Sequence, residues 1–435
     1  MGSGVWQTPV DLSLAGGDAT TPQLALDPQG NAVAVWSRSN GANLVVQGAV
    51  RAAAGGTWQA PVDISVAGED AASPHIGVDP LGNAIAVWER FDGTNFIVQG
   101  AVRPAGSGIW QPPVNLSVAG KDARRARVAL DPQGNAVAVW TRSNGANTIS
   151  QSSVRTAATG AWQEPVDLSV AGGDAGESRV SVDPHGNAIA VWRRYNGTID
   201  VVQGAVRSAG SGAWQAPVDL SATGSSAFGP EVALDPTGSA AAVWYAGRGA
   251  DTIIQGTGYD TIGPLLGALS IPTAGTAGQP LSFSVSPFDV WSPLGITSWS
   301  FGDGAGANGP NVTHAYAAAG RYGVTLASAD ALGNTTSTSA TIAIAKAPPL
   351  TPPLTLSASL TNKRFRVARK GTAISARKVP QGTTFRFTLS AAATLQIAIT
   401  HSARGLRRGR RCLAPTAKLM HKHAKRCTAR SPRAR

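Results

Sequence analysis

The sequence predicts an all-β chain: a five-bladed β-propeller made of five 52-residue repeats over residues 1–260, a β-sandwich over 265–345, and a basic, partly disordered C-terminal β segment. Three observations predict it. Trp6, Trp58, Trp110, Trp162 and Trp214 recur every 52 residues without insertion, and Trp36, Trp88, Trp140, Trp192 and Trp244 keep the same interval; a fixed period of this length marks propellers and related arrays. Only 14% of residues are charged, while 51 Gly and 28 Pro fit turn-rich β structure. Near Gly263 the period stops, and residues 346–435 then hold 21 of the 37 Lys/Arg and no Asp or Glu, so a basic tail follows an acidic body.

Each element of a repeat follows from its residues. Gln23-Leu-Ala-Leu26 alternates with the period of a strand, Asp27-Pro-Gln-Gly30-Asn31 is a turn, and Ala32-Val-Ala-Val-Trp36 resumes the alternation. Asp accepts backbone hydrogen bonds at the turn start, Pro presets φ, and Gly takes the positive φ that closes the hairpin. A second turn, Ser39–Asn43, leads to a third strand from Leu44 to Val50. Thr57–Ile64 makes a fourth strand, whose proline suits an outer edge because it cannot donate a ladder bond. Four short antiparallel strands are one blade. The chain opens with a lone fourth-strand segment at Trp6 and ends the array with a three-strand segment from about Glu231 to Gly256. Pairing these two seals a ring of five; otherwise the array is an open piece of a larger propeller. The repeat resembles the Asp-Pro-x-Gly-Asn-Ala-x-Ala-Val-Trp repeats of secreted actinobacterial proteins. It differs from the sialidase Asp-box, because nine positions separate Asp27 from Trp36.

Residues 299–304 read Trp-Ser-Phe-Gly-Asp-Gly, followed by Thr313-His-Ala-Tyr316 and Gly320-Arg-Tyr322-Gly-Val. This is similar to the PKD domain, with Ser300 where that family usually has Asp. The resemblance implies an immunoglobulin-like sandwich over 265–345, with Trp299, Asp303, Tyr316 and Tyr322 in structural roles, acting as a spacer or interaction module of an extracellular protein. Residues 346–355 form a proline-rich linker. Phe365–Val367, Thr384–Leu389 and Leu395–Ile399 alternate like strands of a partial β domain over 356–402, which resembles the C-terminal β modules of actinobacterial surface proteins. Residues 403–435 are expected to be disordered. Cys412 and Cys427 either bridge in an oxidising compartment or stay free thiols.

The chemistry expected is recognition. No nucleophile elbow, His-Glu-x-x-His motif or phosphate loop occurs, so catalytic residues, cofactors and metal ligands are expected to be absent. Asp27, Asp79, Asp131, Asp183 and Asp235 each belong to the same hairpin turn and read as structural, as do Trp36, Trp88, Trp140, Trp192 and Trp244. Strands alternate in direction, so the turn after each second strand shares a rim with the connection between blades. That rim gathers Asp18, Arg38 and Asn40; Asp70, Arg90 and Asp92; Asp122, Arg142 and Asn144; and Asp174, Arg194 and Asn196 as ligand-binding candidates, with blade five departing at Ser226 and Ala246. Carbohydrate or protein ligands of the cell envelope or environment are the expected partners of a monomer. Aromatics are absent after Phe387, which argues against nucleic acid. A carbohydrate-active enzyme, or its accessory portion, is the alternative. No segment is apolar and long enough for a membrane helix. Met1 falls inside a repeat, so an export signal and further repeats are expected upstream of this secreted or surface protein.

Overall fold

The computed structural model describes residues 7–349, 353–363, 382–398, 400–408, 410–413 and 425–432, and contains no helix among them. Trp6, Phe365–Val367 and the segment 414–424 lie outside the described residues. Two compact units divide the chain, residues 1–347 and 348–435.

The five repeats form five tandem antiparallel sheets. Repeat 1 comprises β1 (Ala19–Leu26), β2 (Ala32–Ser39), β3 (Leu44–Arg51) and β4 (Val62–Asp63). Repeat 2 has β5 (Ala71–Val78), β6 (Ala84–Phe91), β7 (Phe96–Arg103) and β8 (Val114–Asn115); repeat 3 has β9 (Ala123–Leu130), β10 (Ala136–Ser143), β11 (Thr148–Arg155) and β12 (Val166–Asp167). Repeat 4 has β13 (Ala175–Val182), β14 (Ala188–Tyr195), β15 (Asp200–Arg207) and β16 (Val218–Asp219). Repeat 5 holds only β17 (Ala227–Leu234), β18 (Ala240–Arg248) and β19 (Asp251–Tyr259). The fourth strands are shorter than expected, with two ladder pairs each, as in Gln47↔Asp63 and Gly48↔Val62. Pro61, immediately before Val62, has no N–H to extend the ladder.

Alternation gives every sheet two apolar faces, and neighbouring repeats bury them against each other. The tryptophan face of one repeat, with Ala84, Ala86, Trp88 and Ala101, packs on the valine face of the preceding one, with Val33, Val35 and Val46, and Ile64 from the segment after β4 closes the seam. The same set recurs as Ile85, Val87, Val98 and Leu116 against Ala136, Ala138 and Trp140. Trp88, Trp140 and Trp192 are fully buried, and Trp36 and Trp244 are 4% exposed. The first strands pack side by side in the order β1, β5, β9, β13, β17.

Among the described residues ring closure by strand pairing does not occur. β19 is the edge of a three-stranded sheet, while Gln7–Leu14 lies beside Gly56–Pro61, across a cleft of about 900 Å³, and Leu12 packs on Trp36, Ala34 and Ala49 of repeat 1. Leu12 takes the place on repeat 1 that Ile64, 52 positions on, takes on repeat 2. The segment thus follows the packing of its sequence counterpart without finding the ladder partner that counterpart has.

After the array, β20 (Leu265–Ser270), β22 (Leu281–Phe288) and β25 (Asn311–His314) make one sheet. A second holds β21 (Ala274–Thr276), β27 (Thr335–Ala345), β26 (Gly320–Asp330), β23 (Leu294–Ser300) and β24 (Gly306–Asn308). Phe283 and Val285 from the first sheet and Trp299, Leu326 and Ile342 from the second share one core with Phe301 and Tyr316. Trp299 Nε1 donates to Gly309 O (3.0 Å) and Tyr316 OH to Phe301 O (3.1 Å), so each large ring satisfies its polar atom on burial. A Cβ on Gly302, where φ is +80°, would stand 2.5 Å from Gly323 O, which explains the glycine between Phe301 and Asp303.

In the second unit, β28 (Leu356–Leu360) pairs with β29 (Phe385–Leu389). Leu395–Ala398, expected as a strand, is not one. The tail departs further from expectation: β30 (Thr400–Arg408) pairs with β31 (Arg411–Leu413) and β32 (Arg426–Pro432), and Cys412 and Cys427 are joined in a disulfide. Backbone pairing of β31 and β32 on either side of β30, with the bridge joining those two flanking strands, orders residues whose charge alone argues for a solvated coil.

Candidate functional site

One strand per repeat departs from regular geometry, always at the same place. The register of the first strand slips between Thr20 and Gln23, Ala72 and His75, Gly176 and Arg179, and Phe228 and Glu231, with the slip in repeat 3 falling opposite Val139 to Thr141. At each bulge one residue takes a left-handed backbone: Thr21 (φ 51°), Ser73 (55°), Arg125 (61°), Glu177 (58°) and Gly229 (57°). Four of the five are not glycine, although each such residue costs on the order of 1 kcal/mol or more. In repeat 5 glycine is required by space as well, because a Cβ on Gly229 would stand 2.6 Å from the Tyr245 ring. Polar side chains of the preceding repeat hold three of the bulges: Ser73 N donates to Ser37 Oγ (3.1 Å), Arg125 N to Glu89 Oε1 (2.7 Å) and Gly229 N to Glu177 Oε2 (2.7 Å).

Two residues beyond each bulge stands a polar side chain: Gln23, His75, Arg127, Arg179 and Glu231, one per repeat. Because the first strands lie side by side, these form a row across the array. Arg179 Nε meets Glu231 Oε1 at 2.8 Å, and His75 Nδ1 accepts Val128 N at 3.3 Å. Burial, then the charges of Arg127 and Arg179, hold the His75 imidazole down to about 4, so it is neutral at pH 7. Burial also lowers Arg127, with Arg179 adding to the fall and Glu231 opposing it. Beside the row, Arg124 stacks over the Phe96 ring (3.6 Å) and faces Glu89 (3.8 Å) and Asp122 (3.9 Å). Arg193 pairs with Asp200 and approaches Glu177 (3.7 Å). The row and its neighbours are therefore a set of partly paired guanidiniums and carboxylates on a strained scaffold. Sequence reasoning missed it. The available signal was variation: the turn and core positions recur from repeat to repeat, and these two positions change.

The expected rim residues do come together, in roles the fold uses. Ser39 N donates to Asp18 O, Phe91 N to Asp70 O, Ser143 N to Asp122 O and Tyr195 N to Asp174 O, each at 2.8 Å, so the turn after the second strand sits on the connection between repeats. The Asp70, Asp122 and Asp174 carboxylates accept the backbone N–H of Leu44, Phe96 and Thr148 from the preceding repeat. The Thr148 N–H is the main cause that holds the Asp174 carboxyl below its usual value. Asn40, Asp92, Asn144 and Asn196 each cap their own turn by accepting two backbone N–H groups. Arg38 donates to the carbonyls of Leu14 and Ala15, Arg194 to Val170 and Ala171, and Arg90 to Phe91. Among the described residues Arg142 Nε is buried without a partner. On the opposite rim, Asp79, Asp131 and Asp183 are 1% exposed and accept backbone and side-chain N–H from Asn83, Asn135 and Asn187. Burial pushes the equivalent Asp27 up, but four hydrogen bonds, led by the Asn31 side chain, outweigh it and hold that carboxyl low.

One further cluster joins the array to the next domain. Carboxylate oxygens of Asp260, Asp289 and Asp330 lie within 4.8 Å of one another, the only group among the described residues whose spacing could hold a cation. Asp330 is committed already, accepting Leu332 N, Asn334 N and Asn334 Nδ2. Its carboxyl, raised by burial and lowered more by Asn334 and Ser292, settles at about 2. In the same domain His314 Nε2 meets Asp303 Oδ2 at 2.8 Å and stacks on Phe301 (4.1 Å), and burial pushes the Tyr316 phenol up to about 12. These contacts pin a core.

Comparison with known proteins separates the two parts. No curated protein sequence matches the chain. Among solved structures it is similar to an endo-arabinase of Bacteroides thetaiotaomicron (TM-score 0.34, 14% identity, 55% of this chain and 93% of that one). It is also similar to a protein of Dyadobacter fermentans (0.41, 12%, 75% and 95%) and to an α-L-arabinofuranosidase of Fusarium graminearum (0.36, 10%, 75% and 93%). Likeness at this level decides neither topology nor activity. Among the described residues no helix is long and apolar enough to cross a membrane. The PKD domain family matches residues 264–345, the stretch that carries Trp299, Asp303, Tyr316 and Tyr322, and this part of the chain is therefore a PKD domain.

Proposed function

We propose that the chain is an extracellular, non-catalytic recognition protein whose repeat array holds an anionic carbohydrate along the first-strand row, with the PKD domain as spacer. The observation that carries this reading is the set of five left-handed bulges, two residues beyond which Gln23, His75, Arg127, Arg179 and Glu231 stand in a row, in an array whose turns and cores repeat. Arg125, Arg127 and Arg179 supply forked donors for carboxylate or sulfate groups of successive sugars, and Gln23 and neutral His75 supply hydrogen bonds to hydroxyls. The rim first expected to bind contributes less, because its aspartates, asparagines and Arg38 and Arg194 already serve backbone groups. Glu231 in the row and Glu177 beside it are each engaged with an arginine or a backbone N–H, the setting of a structural network rather than of an acid and a base that share a glycosidic bond.

The test is a glycan array probed with the full chain at two salt concentrations. Retention on uronate-bearing or sulfated glycans, lost at high salt and lowered about tenfold in Arg127→Ala, is the expected result. Retention on neutral glycans only, or retention unchanged in Arg127→Ala, would overturn the reading. Release of reducing ends from any retained polysaccharide would replace it with the enzyme alternative.

A further inference from the structure

Four times within the chain a valine face meets a tryptophan face, and at repeat 5 the valine face is left open. Val35, Val87, Val139 and Val191 are fully buried, but their counterpart Val243 is 45% exposed. Val46, Val98 and Val202 are likewise buried, and their counterpart Ile254 is 74% exposed. At the other end, Leu24 is 57% exposed where the equivalent Ile76 and Val128 are 5% and 3%.

The polar partners are missing in the same complementary way. Gln47, Gln151 and Gln203 each donate Nε2 to Asp63, Asp167 and Asp219 on the fourth strand; in repeat 5 Gln255 still accepts Trp244 Nε1 (3.0 Å), but no fourth strand receives its amide. The counterpart of Asp63 is Asp11, exposed and without a hydrogen-bond partner among the described residues. Asp18 corresponds to Asp70, Asp122 and Asp174, which accept the N–H of Leu44, Phe96 and Thr148; the donor left over is Thr252 N in repeat 5. Between repeats 4 and 5 an apolar cavity of about 230 Å³, lined by Val206, Val218, Ala240 and Tyr259, opens where Trp110, Trp162 and Trp214 close the earlier seams.

We infer that the open end of repeat 5 is a docking surface for a second copy of this chain. The partner copy lends its Gln7–Leu14 as the fourth strand on β19, with Val10 opposite Gly256 and Asp11 accepting the Gln255 amide, and lays its exposed Leu24 on Val243 and Ile254. The contact continues an interface that the chain already builds four times, so its register is set by the 52-residue offset. It is strand addition to a free edge, and a head-to-tail contact of this kind closes into a ring or runs on as a filament. Leu12 is already seated on Trp36, four repeats away from β19, which favours a second copy over closure within one chain.

Paired positions 47 and 63 face each other across the ladder, so cysteines at the counterparts would lie within bridging distance in the proposed contact. Full-length Asp11→Cys mixed with full-length Gln255→Cys is expected to give a disulfide-linked species of twice the chain mass under mild oxidation. Sedimentation of the unmodified chain is expected to show mass rising with concentration, and Ile254→Asp, at a site already exposed, is expected to weaken that association by about tenfold or more without altering the monomer's circular dichroism. A bridge formed within single molecules of the Asp11→Cys/Gln255→Cys double variant would show closure inside one chain and overturn the proposal. So would a monomeric mass at every concentration with no bridge in the mixture.

Discussion

The hairpin turn and the first-strand bulge stand at the two ends of the same strand, and the repeats treat them oppositely. At the turn, Asp79, Asp131 and Asp183 are the same residue in the same buried hydrogen-bond cage. At the bulge, Thr21, Ser73, Arg125, Glu177 and Gly229 share a backbone conformation and nothing else. Local chemistry dictates the turn, so sameness there reports folding. The left-handed backbone of the bulge is set by the sheet around it, which leaves the side chain free to differ. The PKD domain supports this division: Asp330-Ala-Leu-Gly-Asn334 closes with the same bonds as Asp79-Pro-Leu-Gly-Asn83, in a different architecture.

If turns hold the fold and bulges serve a surface, substitutions should separate them. Asp131→Ala removes the acceptor of three N–H groups inside a buried turn and should cost about 2–4 kcal/mol, read as a lower denaturant midpoint; a change below about 0.5 kcal/mol would break the comparison. His75 should give a smaller effect of definite sign. Its folded value near 4 lies below the usual 6.5, so the unfolded chain takes up a proton that the folded chain refuses. Stability should therefore be full above about pH 6.5 and decline as pH falls towards 4, and His75→Gln should flatten that part of a melting-temperature profile. Asp330 acts lower on the scale: held at about 2 against 3.8, it stabilises the fold above pH 3.8 and loses that contribution as pH falls through 2, a slope that Asp330→Asn should remove. The smallest change sharpens the comparison most. Arg125→Gly relieves a left-handed arginine and should raise stability by about 0.5–1 kcal/mol while weakening glycan retention, whereas a loss of stability would mean that Arg125 belongs to the scaffold.

Much of the architecture was legible because it rests on short-range rules. The 52-residue beat, the Asp-Pro-x-Gly-Asn turn and the alternation around Trp36 give three strands per repeat and their order, and Trp299 to Tyr322 give the PKD core. What escaped depends on contacts between distant residues. Whether Gln7–Leu14 pairs with β19 is decided by the pitch of four inter-repeat seams, which no single repeat encodes. The tail reads as a coil from its charge, yet a disulfide and a partner strand order it. The rim could be located from strand direction, but its carboxylates and amides looked available because their donors lie 26 residues away or within their own turns. The row was invisible for the converse reason: a search for residues shared by every repeat discards those that differ.

Asn31, Asn83, Asn135 and Asn187 each accept a backbone N–H from a residue 22 positions later, and every such tie closes within its own repeat. Each sheet can thus nucleate from nearby sequence, and what it adds to its neighbours is one seam on either side. A chain wired in this way behaves as a row of coupled switches. Repeat 3, with seams on both flanks and a covered sheet beyond each, opens last, while repeats 1 and 5 exchange their amide protons first. Pulled from its ends, the array would give way in steps of one 52-residue length rather than all at once.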